Sequence, residues 1–159
     1  MLIDVKGIIS EDFVNYKKPS MTIMMPKCSF KCDKDCGMQV CQNSALATAP
    51  TIQVELFNLL DQYIHNDITS ALVFQGLEPF DSYDDMHIII GFFRMFSNDD
   101  IVIYTGYKKE ELYSELKQLE NIPNIIVKFG RYLPHCASSF DEVLGVELAS
   151  FNQYAEKIS

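Results

Sequence analysis

Four of the five cysteines in this 159-residue chain stand at positions 28, 32, 36 and 41, within the segment PKCSFKCDKDCGMQVCQNS from Pro26 to Ser44. A free cysteine is usually a buried packing residue, so four thiols crowded among charged and polar neighbours call for another role. Their natural chemistry is that of thiolate ligands. A structural zinc ion would take four in a closed tetrahedron, usually as two well-spaced pairs. An iron–sulfur cluster also takes thiolates, and three of them would leave one iron open to a substrate or cofactor. Crowding into one segment favours the cluster, with zinc, which is also held at short spacings, as the alternative.

Composition narrows the setting. Lysine and arginine number 13 against 22 acidic residues, a net charge of −9, which repels a phosphate backbone and argues against a nucleic-acid partner. The apolar runs around Ala71 to Phe74 and Ile88 to Phe93 fall far short of the roughly 20 residues that cross a bilayer, so no membrane association is expected. The opening MLIDVKGIISEDF carries acidic residues early and lacks a basic segment before a long apolar core. It is not read as a secretory signal, and a cytoplasmic location is expected. In that reducing compartment an odd number of cysteines points to metal binding or catalysis rather than disulfides.

The elements that must position the cysteines follow from the apolar pattern. Met21 to Met25, between Pro19 and Pro26, suits a buried strand that feeds directly into the cysteine loop. Thr51 is placed to cap a helix reaching about Asn66, with Leu56, Leu59, Leu60 and Tyr63 at helical spacing. Ala71 to Gln75 is a second buried strand and ends in Gly76-Leu77-Glu78-Pro79. Ser82 and Asp85 have capping-box spacing before a helix through Met86, Ile89, Ile90, Phe93 and Phe96. Ile101 to Tyr104 is a third strand, stopped by Thr105-Gly106-Tyr107. A polar helix from Lys108 to Glu120 carries Leu112, Leu116 and Leu119 on one face. Ile125 to Lys128 is a fourth strand, followed by Phe129-Gly130-Arg131-Tyr132.

This alternation predicts one α/β domain over residues 1–159, a partial (β/α) barrel or an open parallel sheet of about four to six strands flanked by helices. A full eight-unit barrel takes about 250 residues, more than the chain has. In such folds ligands bind at the carboxyl ends of the strands. The cysteine loop, GLEP, TGY and FGRY each follow a predicted strand, so all four are expected on one rim.

Cys28-Ser29-Phe30-Lys31-Cys32, with Cys41-Gln42-Asn43 after it, resembles the cluster loop of radical S-adenosylmethionine enzymes, most of all the small glycyl-radical activases such as the activating protein of anaerobic ribonucleotide reductase. Their usual pattern has three residues between the first two cysteines and two before the third. Here eight residues separate Cys32 from Cys41 and three separate Cys32 from Cys36. The Asn43 match favours Cys41 as third ligand, with Cys36 on an inserted hairpin through Gly37; Cys36 is the alternative. Gly76-Leu77-Glu78-Pro79 is similar to the family's Gly-Gly-Glu-Pro, with Leu77 in place of the second glycine. Tyr104-Thr105-Gly106-Tyr107, Gly130-Arg131 and the tail Leu144-Gly145 through Ser150 with Asn152-Gln153 are similar to further activase stretches.

The resemblance implies a [4Fe-4S] cluster on Cys28, Cys32 and Cys41, with Cys36 in reserve, and S-adenosylmethionine held at Gly76, Leu77, Glu78, Pro79, Asn43 and Thr105. It implies reductive cleavage of that cofactor to a 5′-deoxyadenosyl radical, an external electron donor, and a glycyl-radical partner enzyme. No catalytic side chain is assigned beyond these contacts. The rivals are a radical enzyme acting on a peptide or small molecule, and a non-catalytic zinc- or cluster-binding module. His65, His87 and His135 lack metalloprotease spacing and are set aside. Cys136 is read as a structural thiol and Asp33-Lys34-Asp35 as a solvated loop tip.

Overall fold

The computed structural model describes residues 1–41 and 43–159, the side chain of Cys32 excepted. Strands β1 (Leu2–Val5), β2 (Gly7–Asp12) and β3 (Ser20–Met25) come first, followed by two short helices, α1 (Lys31–Cys36) and α2 (Ser44–Thr48), in the cysteine segment. Strand β4 (Ile52–Glu55) leads into α3 (Leu56–Ile64), and then β5 (Ala71–Gly76), α4 (Tyr83–Arg94), β6 (Asp100–Tyr104), α5 (Tyr113–Leu119) and β7 (Ile125–Phe129) alternate. Strands β8 (Ser139–Asp141), β9 (Val146–Leu148) and β10 (Tyr154–Lys157) complete the order.

Six strands form one open sheet in the order β10-β7-β6-β5-β3-β2. The four central strands are parallel, and β2 and β10 close the two sides antiparallel. The sheet is therefore the open form of the two expected, not a barrel. Its parallel strands read as apolar runs because both faces are covered. On one face Ile23, Leu72, Phe74, Ile103 and Val127 join Leu60 of α3, Ile89 and Phe93 of α4 and Leu116 of α5 in a single core. Each large apolar side chain buried there contributes roughly 1.5–3 kcal/mol relative to exposure. On the other face Val73, Val102 and Ile126 pack against Tyr16, Leu144 and Leu148. This chain's own segments before β3 and around β9 thus cover the face that lacks helices.

Three local expectations are corrected. Thr51 does not cap a helix: β4 pairs antiparallel with β1, Ile3 opposite Val54, and α3 starts only at Leu56. Glu55 is its cap, accepting the Asn58 N–H at 3.0 Å. The alternation of Ile52 and Val54 suits a strand, and β1 supplies the partner that a local reading cannot see. Ser82 forms no capping box; its hydroxyl has no hydrogen-bond partner among the described residues, and a 3-10 turn over Pro79–Ser82 is capped by Glu78 instead. The helix expected from Lys108 likewise begins as a 3-10 turn, Lys109–Leu112, before α5. Among the described residues no helix is long and apolar enough to cross a membrane.

Candidate metal centre

The carboxyl ends of β3, β5, β6 and β7 surround a cleft of about 320 Å³ lined by Cys28, Cys41, Asn43, Gly76, Leu77, Glu78 and Thr105, among others. Five of the six residues assigned to cofactor binding from sequence lie on it. The sixth, Pro79, is buried at the start of the 3-10 turn behind it. Cys36, at the end of α1, is a free thiol outside the lining, and the Cys32 side chain lies outside the described residues.

Each wall is fixed by the backbone that precedes it. The end of β3 holds the GLEP turn: Leu77 N–H donates to the Met25 carbonyl at 3.4 Å and Glu78 N–H to that of Lys27 at 2.7 Å. Gly76 has φ +95°, and a Cβ there would stand 2.8 Å from Met24 Cα, so a side chain is excluded by conformation and by space. Leu77, where the resemblance has glycine, is accommodated next to it.

Glu78 is buried, and its carboxylate is fully engaged. One oxygen accepts the Thr105 hydroxyl at 2.7 Å and the Phe80 N–H at 3.1 Å, and the other accepts the Gly106 N–H at 2.9 Å. The acid clasps the end of β5 to the end of β6. Burial outweighs these bonds and pushes its carboxyl up to about 7. Asp81 performs a parallel task one turn later, accepting the Ser29 N–H at 2.6 Å and the Tyr107 hydroxyl. It thereby anchors the residue after Cys28.

Cys28 Sγ accepts the N–H of Phe30 at 3.2 Å, and Phe30 itself has a left-handed backbone, φ +54°. Burial, with negative charge at Glu78, Asp81 and Cys41 adding to it, pushes the Cys28 thiol up to about 11. That environment disfavours a bare thiolate, and a bound cation reverses the balance by deprotonating a coordinating thiol outright.

The inserted segment differs from the solvated tip expected of it. Asp33 accepts the N–H groups of Val40 at 2.7 Å and Cys41 at 2.8 Å. Asp35 pairs with Arg131 at 2.8 Å, and Arg131 also meets Glu111 at 2.9 Å. Both acids are structural, because the chain folds back on itself and on the rim. The tail has a similar function: Asn152 donates to the Arg131 carbonyl at 2.7 Å and Gln153 to that of Gly130 at 3.2 Å.

Sequence reasoning missed Lys128, which is buried, lines the cleft and donates to the Gly130 carbonyl at 3.0 Å. A lysine inside the run Ile125 to Phe129 was the available signal, since that residue type is almost never buried without partners.

Among the described residues no three ligand-type side chains converge; two thiols, Cys28 and Cys41, share the cleft. That donor chemistry fits an iron–sulfur cluster, with the thiol of Cys32 as the further ligand the sequence offers. A family model described as a 4Fe-4S single cluster domain matches residues 19–140, from the start of β3 into β8. No curated protein and no solved structure matches the chain.

Proposed function

The chain belongs to the 4Fe-4S single cluster domain family, and from that premise we propose that it is a radical S-adenosylmethionine protein that generates a glycyl radical on a partner enzyme, such as an anaerobic ribonucleotide reductase. The observation that carries this reading is the shared cleft. Cys28 and Cys41 face the same space as Gly76, Leu77, Glu78, Asn43 and Thr105, at the carboxyl ends of the parallel strands.

Cys28, Cys32 and Cys41 would hold the cluster, whose chemistry there would be the one-electron reductive cleavage of S-adenosylmethionine to methionine and a 5′-deoxyadenosyl radical. The Glu78 carboxylate is occupied by Thr105 and Gly106, so contact with the cofactor's amino group falls to the backbone of the GLEP turn. Leu77, Val146 and Leu148 give the cleft apolar surface that helps exclude water from a reactive site. That radical would take one hydrogen atom from a glycine Cα of the partner, giving 5′-deoxyadenosine and the glycyl radical. An external one-electron donor supplies the reducing equivalent.

Leu77 and the wide Cys32–Cys41 spacing favour one other reading, a cluster-binding module that does not cleave the cofactor. Anaerobic reconstitution of wild type, Cys36→Ala and Cys41→Ala, with iron content and 5′-deoxyadenosine measured under dithionite, separates the two. Product from wild type and Cys36→Ala but not Cys41→Ala is expected. Iron-loaded wild type that never yields 5′-deoxyadenosine overturns the radical reading and selects the module.

A further inference from the structure

Eight residues between Cys32 and Cys41, if extended, would span about 26 Å, too far to return a third thiol to a cluster held by the first two. Three observations account for the return. Helix α1 stops at Gly37, whose φ of +67° reverses the chain and whose N–H bonds the Lys34 carbonyl. Met38 and Gln39 then lie exposed. The next two amides, Val40 and Cys41, both donate to the same oxygen of Asp33. The insertion is therefore a loop closed at its base, and the closing carboxylate immediately follows Cys32 in sequence. Because Cys41 lines the cleft and Cys36 does not, the effect of the closure is to exchange one cysteine for the other at the rim.

We infer that Asp33 is a positioning residue for the cluster, the clip that presents Cys41 as a ligand despite the lengthened spacing. The inference rests on Cys41 being a ligand, as proposed above. Asp33 acts through one oxygen that accepts two adjacent N–H groups, which fixes the peptide on the N-terminal side of the Cys41 Cα. Asp35 and Arg131 hold the outer side of the same loop but touch neither amide.

The test compares wild type, Asp33→Ala, Asp33→Ser, Asp33→Asn and Cys41→Ala after anaerobic reconstitution. It reads iron per chain, the electron paramagnetic resonance spectrum of the dithionite-reduced sample, and the rate of iron loss to a ferrous chelator. Asp33→Ala should lose iron roughly 10- to 100-fold faster than wild type, the range usual for groups that orient metal ligands. Asp33→Ser, whose hydroxyl cannot span to both amides, should do the same by a second route. Asp33→Asn retains an acceptor oxygen and should stay within about twofold of wild type, which a loss through general destabilisation would not produce. If Asp33→Ala and Asp33→Ser hold iron as wild type does while Cys41→Ala loses it, Cys41 is a ligand and the clip is overturned. If Cys41→Ala itself retains the iron and the spectrum, the ligand assignment fails and the clip fails with it.

Discussion

The Glu78 carboxylate accepts the Thr105 hydroxyl at 2.7 Å, joining the ends of β5 and β6 through a group shielded from water. Burial raises that carboxyl from 4.5 to about 7, so the folded apo chain keeps a proton that the unfolded chain has released between those values. The stabilising contribution is full below about pH 4.5 and is lost as pH rises through about 7. Its size is at most about 3 kcal/mol. Between about pH 5 and about pH 8 the Tm of apo wild type should fall relative to that of Glu78→Gln, which keeps an acceptor but cannot titrate. A constant difference across that range rejects the raised carboxyl.

Gly76→Ala tests the turn itself. The φ of +95° and the 2.8 Å approach to Met24 Cα leave no room for a methyl group. Backbone strain alone costs about 1–3 kcal/mol, and displacement of β3 would disturb the hydrogen bonds that set the Cys28 loop. Urea unfolding of the apo chain should show a lower midpoint with an unchanged slope. A loss under about 0.5 kcal/mol, the usual range for neutral surface changes, would mean that the turn relaxes freely.

Arg131 joins two partners of unequal burial. Its side chain is 8% exposed, that of Glu111 31% and that of Asp35 56%. Removing a buried partner costs about 3–5 kcal/mol, whereas an exposed pair is worth about 0–1 kcal/mol. Arg131→Ala should therefore destabilise the chain several-fold more than Asp35→Ala, with Glu111→Ala between them. Arg131 holds the Glu111 carboxyl below its ordinary value, so this contribution is present at neutral pH and is lost as pH falls through the folded-state value. Equal Tm losses for Arg131→Ala and Asp35→Ala would reject the ranking.

Cys136→Ser should leave iron content and the reduced-cluster spectrum unchanged. Its own N–H donates to the Leu133 carbonyl at 3.1 Å, and it lies outside the cleft lining. Loss of iron in this variant would make Cys136 a ligand and redraw the site.

The parallel strands were legible because burial on both faces writes an uninterrupted apolar run. Ala71 to Phe74 and Ile101 to Tyr104 need no partner information to be read. The outer strands have no such signature. In β10 only Ala155 is buried, and in β2 three consecutive residues, Ile9, Ser10 and Glu11, are exposed. Their pairing is decided by segments distant in sequence. The same division holds at the site. Cys28, the GLEP turn and Thr105 follow strands and could be placed on one rim in advance. Asp33 and Asp35 could not, because a short run of charges in a loop looks solvated until the chain is seen to return to it. The segment between Cys32 and Cys41 itself contains the Asp33 contacts that close it.

The Gly130–Arg131 turn is tied down by Asn152 and Gln153, and this sets an order of events during synthesis. The cysteine loop emerges from the ribosome well before Asn152 and Gln153, the groups that lock the far side of the cleft. For that interval the nascent chain carries thiols without a finished pocket around them, open to stray metal and to oxidation. A cleft closed on that side by residues so much further along the chain is complete only once they have been made.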